Sequence, residues 1–210
     1  MPVVTTIHWR VDEPDRQEFL SYFSTAPMVA ISRAQASMFP PRDPSPRVIH
    51  HGIPCDRFSL GSGDRGYVAF IGRMTDQKGP DRAIDAARGA GMPIRLAGDV
   101  DIGNPTYFSR EVESRLGEDA IYVGPLDDAQ KQGFLGDAAV LAMPIDWPEP
   151  FGLVVIEAFA CGTPVVAMRH GSMPELIEHG VTGFVCGDAG EFADALAAAR
   201  TLDRHKIRDR

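Results

Sequence analysis

Cysteine is scarce in this chain: three residues in 210, Cys55, Cys161 and Cys186, an odd number with no close Cys/Cys or Cys/His spacing. Such usage excludes a disulfide framework and a structural zinc site, and fits a cytoplasmic protein with reduced thiols. Positive charge is also in deficit, with 21 Lys and Arg against 29 Asp and Glu and a net charge of -8. No clustered Lys/Arg footprint of the kind a nucleic-acid surface requires is present, so an anionic substrate needs a local basic site. Long apolar runs are missing too: the longest, residues 153–160, is interrupted by Glu157. It is far short of the ~20 residues that span a bilayer, so no transmembrane segment is expected. The opening MPVVTTIHW lacks a basic stretch followed by an apolar core, so no secretory leader is expected. No internal repeat is found. What is present, 44% hydrophobic and 24% charged residues, suffices for a globular core.

Residues 3–7 are β-branched throughout and read as a strand, followed by a helix over 15–23. Residues 27–31 and 47–49 are two more candidate strands, separated by PPRDPSP, whose prolines forbid regular structure. The stretch 56–66, with Gly61, Gly63 and Gly66, reads as a linker, giving a boundary near residue 60. From there strands (67–71, 94–97, 121–123, 138–143, 164–167, 183–185) alternate with helices (80–89, 107–116, 129–135, 152–160, 174–178, 191–199). Alternation of this kind means an α/β fold, a Rossmann-like parallel sheet with helices on both faces, whose ligands sit beyond the carboxyl ends of the strands.

Two strand-to-helix loops carry candidate chemistry. In the first, residues 72–79, Arg73 and Lys78 share a turn with two glycines ahead of a helix that starts at Pro80. The pattern suits either a clamp on diphosphate oxygens or two solvated surface cations. The second, PEPFG at 148–152, leads into LVVIEAFA, where Glu157 is the only charged side chain. A carboxylate among apolar neighbours needs hydrogen-bond donors, which sugar hydroxyls or a core Arg would supply, unless it lies on an exposed stripe. Glu157 falls about 7–8 Å along the helix from Gly152, a ribose length from a phosphate held at the helix start.

Taken together, FIGRMTDQKGPDRAI, the two glutamates separated by seven residues in EPFGLVVIEAFACGTPVVA, and GSMPELIEHGVTGFV resemble glycosyltransferase family four. Its members are retaining GT-B enzymes that use nucleotide-sugar donors without a metal. Similarity runs over nearly the whole chain. The resemblance implies that Gly72, Arg73, Lys78, Leu153 and Val154 bind the donor diphosphate, and that Glu149, Phe151 and Gly152 hold the donor sugar. Glu157 would bind the ribose, with Leu126 and Asp127 bordering the nucleobase. Glu149 and His8 would stand at the reaction centre, His8 in a stretch where Trp9 replaces the usual glycine. A uridine diphosphate sugar is the expected donor, with guanosine and adenosine as alternatives and no further cofactor. The acceptor, a carbohydrate, lipid or small molecule, stays open. By the same resemblance, residues 1–60 form the end of an amino-terminal, acceptor-side Rossmann-like domain plus linker, residues 61–210 the donor-binding domain, and both ends look cut. Exposed Val3, Val4 and Ile7 would then favour self-association. A chain so shortened is alternatively a non-catalytic nucleotide-sugar-binding fragment or interaction module.

Two look-alikes are set aside. GSGDRG at 61–66 spells a dinucleotide fingerprint but precedes a strand instead of following one, and Asp99 and Asp101 sit inside a parallel α/β pattern.

Overall fold

The computed structural model describes residues 3–210. Two parallel sheets are present. The first joins β1 (Thr5–Ile7), β2 (Met28–Ala30) and β3 (Arg47–Val48) in that order, with α1 (Pro14–Tyr22) and α2 (Arg33–Ser37) in the connections. The second holds β4 (Val68–Ile71), β5 (Ile94–Ala97), β6 (Ala120–Gly124), β7 (Val140–Met143), β8 (Val165–Met168) and β9 (Gly183–Cys186). Between them run α3 (Pro80–Gly89), α4 (Pro105–Tyr107), α5 (Asp128–Asp137), α6 (Leu153–Ala160) and α7 (Met173–Leu176), and after them α8 (Ala189–Ala199) and α9 (Arg204–Arg208).

The order β6-β5-β4-β7-β8-β9 reverses direction between β4 and β7, so a crevice opens beyond their carboxyl ends. Strands such as β7 are buried at every residue because helices cover both faces, which is why they read as continuous apolar runs. Ala83, Ile84 and Ala87 of α3 and Phe192 and Leu196 of α8 pack one face. Leu135 of α5 and Val155 and Ala158 of α6 pack the other.

Several elements depart from the sequence expectation. The α2 helix was invisible because its five residues, RAQAS, carry no apolar stripe. It forms because Ser32 caps the Gln35 amide, while the buried Gln35 side chain donates to the carbonyls of Ile7 and Trp9. The α9 helix, with only Ile207 buried, depends likewise on Asp203 capping the amides of His205 and Lys206. The helix expected over 107–116 is irregular, passing from α4 through a π turn at Phe108–Val112 to a 3-10 turn at Glu113–Arg115. The stretch 56–66 is no loose linker. Gly61 donates to the Cys161 carbonyl, Gly63 to that of Gly136, and the half-buried Arg204 guanidinium gathers the carbonyls of Gly61, Gly136, Ala138 and Cys161. Ile7 is buried against Leu20 and Met28, so only Val3 and Val4 of the expected apolar face are exposed.

Candidate active site

The loop after β4 and the loop after β7 meet at the reversal point. Two contacts tie them: the Asp146 amide donates to Gln77 O at 2.9 Å, and Arg82 of α3 donates to Pro144 O at 3.0 Å and Asp76 O at 2.7 Å. Across this join the Lys78 ammonium contacts the Glu149 carboxylate. Glu149 is 8% exposed, and its main chain is gripped by the turn before α7, where the Ser172 amide donates to Glu149 O at 3.0 Å. Gly171 makes that approach possible, since its φ is +54° and a Cβ there would stand 2.3 Å from Glu149 O. The Ser172 hydroxyl in turn donates to Phe151 O at 2.6 Å. Gly152, at φ +92°, then turns the chain into α6, whose first-turn amides at Leu153 and Val154 have no carbonyl a turn earlier within the helix.

The amino-terminal sheet supplies the opposite wall. A cleft of about 660 Å³ is walled by His8, Trp9 and Arg10 beyond β1, by His51, and by Gly72, Arg73, Lys78 and 149–154 of the two loops. Four cations (Arg10, Arg16, Arg73, Lys78) and two carboxylates (Glu13, Glu149) face it, so this face is locally positive in a chain of net charge -8. Trp147 lies in the same wall, beneath the Lys78 ammonium at 4.8 Å and the Arg10 guanidinium at 5.6 Å from its ring centre.

The two sheets are latched beside the cleft by Glu175 of α7. Its carboxylate accepts the amides of Arg33 at 2.9 Å and Ala34 at 3.2 Å, at the start of α2, and contacts His50 Nε2 at 2.5 Å. Burial pushes the Glu175 carboxyl up, but the amides and His50 outweigh it and hold it below its ordinary value.

Of the residues singled out in the sequence, His8, Gly72, Arg73, Lys78, Glu149, Phe151, Gly152, Leu153 and Val154 share the one cleft. Glu157 does not. It opens into a second cavity of about 380 Å³ with Arg57, Phe58 and Lys131, and its carboxylate accepts from Lys131 at 2.7 Å. Its partner is therefore a lysine of α5, not the core Arg weighed as one alternative. Burial lowers the Lys131 pKa, yet Glu157 and Asp128 more than offset that and raise it above its ordinary value. Leu126 packs at the edge of the core and Asp127 caps α5, its carboxylate accepting the Gln130 amide at 2.8 Å; neither walls the two cavities. Sequence inspection missed His51, Trp147, Arg82, Lys131 and Glu175. The His50-His51 pair after a strand carried the same signal as His8, whereas Arg82 and Lys131 sit on helices as ordinary surface-type residues. Among the described residues, no group of three or more His, Cys, Asp or Glu is placed to hold a metal ion. No helix among them is long and apolar enough to cross a membrane.

Parallel sheets flanked by helices, with a cleft at the strand ends shared between them, are the GT-B architecture. The sequence profile of glycosyl transferases group 1 matches residues 53–208, and the chain belongs to that family. It is 30% identical over 212 residues to a D-inositol 3-phosphate glycosyltransferase of Mycolicibacterium smegmatis, an alignment covering 92% of this chain and 46% of that protein. A protein of the same name from Kribbella flavida is 37% identical over 150 residues, covering 64% of this chain and 35% of its own. The chain thus spans about half the length of the curated relatives it matches, or less. Among solved structures, Anabaena Alr3699/HepE in complex with UDP and glucose superposes with a TM-score of 0.83 at 24% identity, over 99% of this chain and 64% of that one. AviGT4, a glycosyltransferase involved in avilamycin A biosynthesis, gives 0.72 at 26% identity, over 87% and 56%.

Proposed function

We propose that the chain binds a nucleotide sugar, UDP-glucose in the first instance, and transfers its sugar with retention and without a metal to a hydroxylated acceptor. The observation that carries this is the convergence of Arg73, Lys78 and the α6 start with Glu149 and His8 on one cleft at the sheet's reversal point. Supporting the choice of base are the UDP and UDP-glucose complexes of the Anabaena structural neighbour.

In this mechanism the diphosphate lies between residues 72–73, Lys78 and the amides of Leu153 and Val154. The ribose reaches along α6 to Glu157 and Lys131, and the base lies near Leu126 and Asp127. Glu149 holds hydroxyls of the donor sugar, with Phe151 and Gly152 shaping its bed and His8 facing it across the cleft. When the anomeric carbon–oxygen bond breaks, the electron pair goes to the β-phosphate oxygen, where the cations and the helix start stabilise it. The acceptor hydroxyl attacks the same face of the oxocarbenium-like sugar, and its proton passes to the departing phosphate. Glu149 acts as an orienting group and not as a nucleophile, since its carboxylate is held by Lys78.

Acceptor-dependent release of UDP from UDP-glucose, in chelator, is the test. D-inositol 3-phosphate is the first acceptor to try, because it is named in the relatives and because Arg10 and Arg16 face the cleft. Turnover only with an acceptor supports the proposal; binding without turnover for any acceptor favours the second possibility, a non-catalytic donor-binding module. That alternative is kept because the chain covers only 46% of its Mycolicibacterium relative.

A further inference from the structure

His51 stands between three parts of the chain. Its ring is edge-on to Phe151, with centres 5.1 Å apart and planes at 83°, on the loop that opens α6. It is nearly parallel to His8, at 5.0 Å and 19°, beyond β1, and its Nε2 is 3.3 Å from His8 Nδ1. Both imidazoles wall the cleft, and Phe151, only 3% exposed, gives His51 a fixed backing. Two imidazole nitrogens in such contact need one proton between them, one donating and the other accepting. With Nδ1 so engaged, His8 has only Nε2 left for a ligand.

We infer that His51 is a positioning residue: by hydrogen-bonding His8 Nδ1 it fixes the tautomer and ring orientation with which His8 Nε2 meets the donor sugar. The inference rests on the proposed donor site for the identity of the ligand, but the histidine pair is a property of the free chain. The pair keeps its hydrogen bond with one shared proton, and a second protonation sets two cations in contact and breaks it. Lys78, Arg73 and Glu149 face the pair from the β4 and β7 loops, Arg10, Glu13 and Arg16 from the segment after β1, and neighbouring His50 is taken by Glu175. Burial first, and then the charge of His8, lowers the His51 pKa. The sugar-dependent part of donor affinity therefore weakens on acidification, while bare nucleotide, held by phosphate and ribose groups, does not follow this pair.

The test uses the full chain with His51→Phe, which keeps a ring against Phe151 but removes both nitrogens, and His51→Gln, which restores a hydrogen-bonding group. NMR titration of the imidazole Cε1 protons between about pH 5 and 8 reads the pair directly. In the wild type the two rings respond as a coupled pair; in His51→Phe the His8 signal loses that coupling. By calorimetry the preference for UDP-glucose over UDP drops about fivefold in His51→Phe, near 1 kcal/mol, and recovers in part in His51→Gln. An unchanged His8 titration, or an unchanged preference, overturns the inference. A wild type that binds neither UDP nor UDP-glucose contradicts the donor site instead, and the NMR arm still decides the pair.

Discussion

Lys78 and Glu149, 71 residues apart in sequence, are brought into contact across the reversal point of the sheet. One residue proposed for the diphosphate thus holds the carboxylate proposed for the sugar, and both side chains are largely shielded from solvent. Removing either partner leaves the other poorly solvated and unpaired. Lys78→Met is therefore expected to cost roughly 1–3 kcal/mol of stability in addition to donor affinity. Arg73, which makes no ion pair among the described residues, contrasts with it. Arg73→Ala is expected to lower UDP affinity about tenfold, or ~1.4 kcal/mol, with the denaturation midpoint unmoved. Denaturant melts beside binding titrations of both variants check this, and equal destabilisation would contradict it.

Gly171 permits the turn before α7 to touch the main chain of Glu149. Gly171→Ala adds a Cβ that has no room and sits at an unfavourable φ, so either that turn or residue 149 must move. We expect a loss of about 2 kcal/mol and a drop in UDP-glucose affinity larger than that in UDP affinity, read by melting and calorimetry.

The Glu175 latch carries a pH signature. Because its folded pKa lies below 4.5, its stabilisation is present in full above that value and fades as pH falls through the folded value. Glu175→Gln is expected to destabilise the chain by roughly 1–2 kcal/mol near neutral pH, and the gap to wild type should close on acidification. A gap constant with pH would deny the carboxylate this role.

The cysteines make a simpler case. Burial pushes the thiols of Cys161 and Cys186 up to about 11, whereas Cys55 is exposed. A thiol reagent near neutral pH is expected to modify Cys55 alone in the native chain and all three after denaturation.

Much of this was legible in the sequence because regular βα units announce themselves. The α3 span 80–89 and the β5 span 94–97 fall where periodicity put them, Pro80 and Gly79 marking the turn between loop and helix. Of the nine residues now sharing the cleft, Gly72, Arg73, Lys78, Gly152, Leu153 and Val154 stood out because their loops follow buried strands, whereas His8, Glu149 and Phe151 came with the family resemblance. What escaped was structure made by polar side chains instead of apolar pattern. The α2 helix exists through Ser32 and Gln35, the anchoring of 56–66 through Arg204, and the latch through Glu175. The cavity at Glu157 was half legible: a lone carboxylate in an apolar helix demanded a partner, but Lys131 lies 26 residues earlier, and nothing local pairs them.

The most direct test of the central claim is calorimetric titration of the chain with UDP and UDP-glucose in chelator, beside Glu157→Ala and Lys78→Ala. The account predicts binding without metal, weakened about tenfold or more in each variant, with inorganic pyrophosphate affected by Lys78→Ala but not by Glu157→Ala. Binding that survives both substitutions, or none in a wild type shown to be folded, would contradict it.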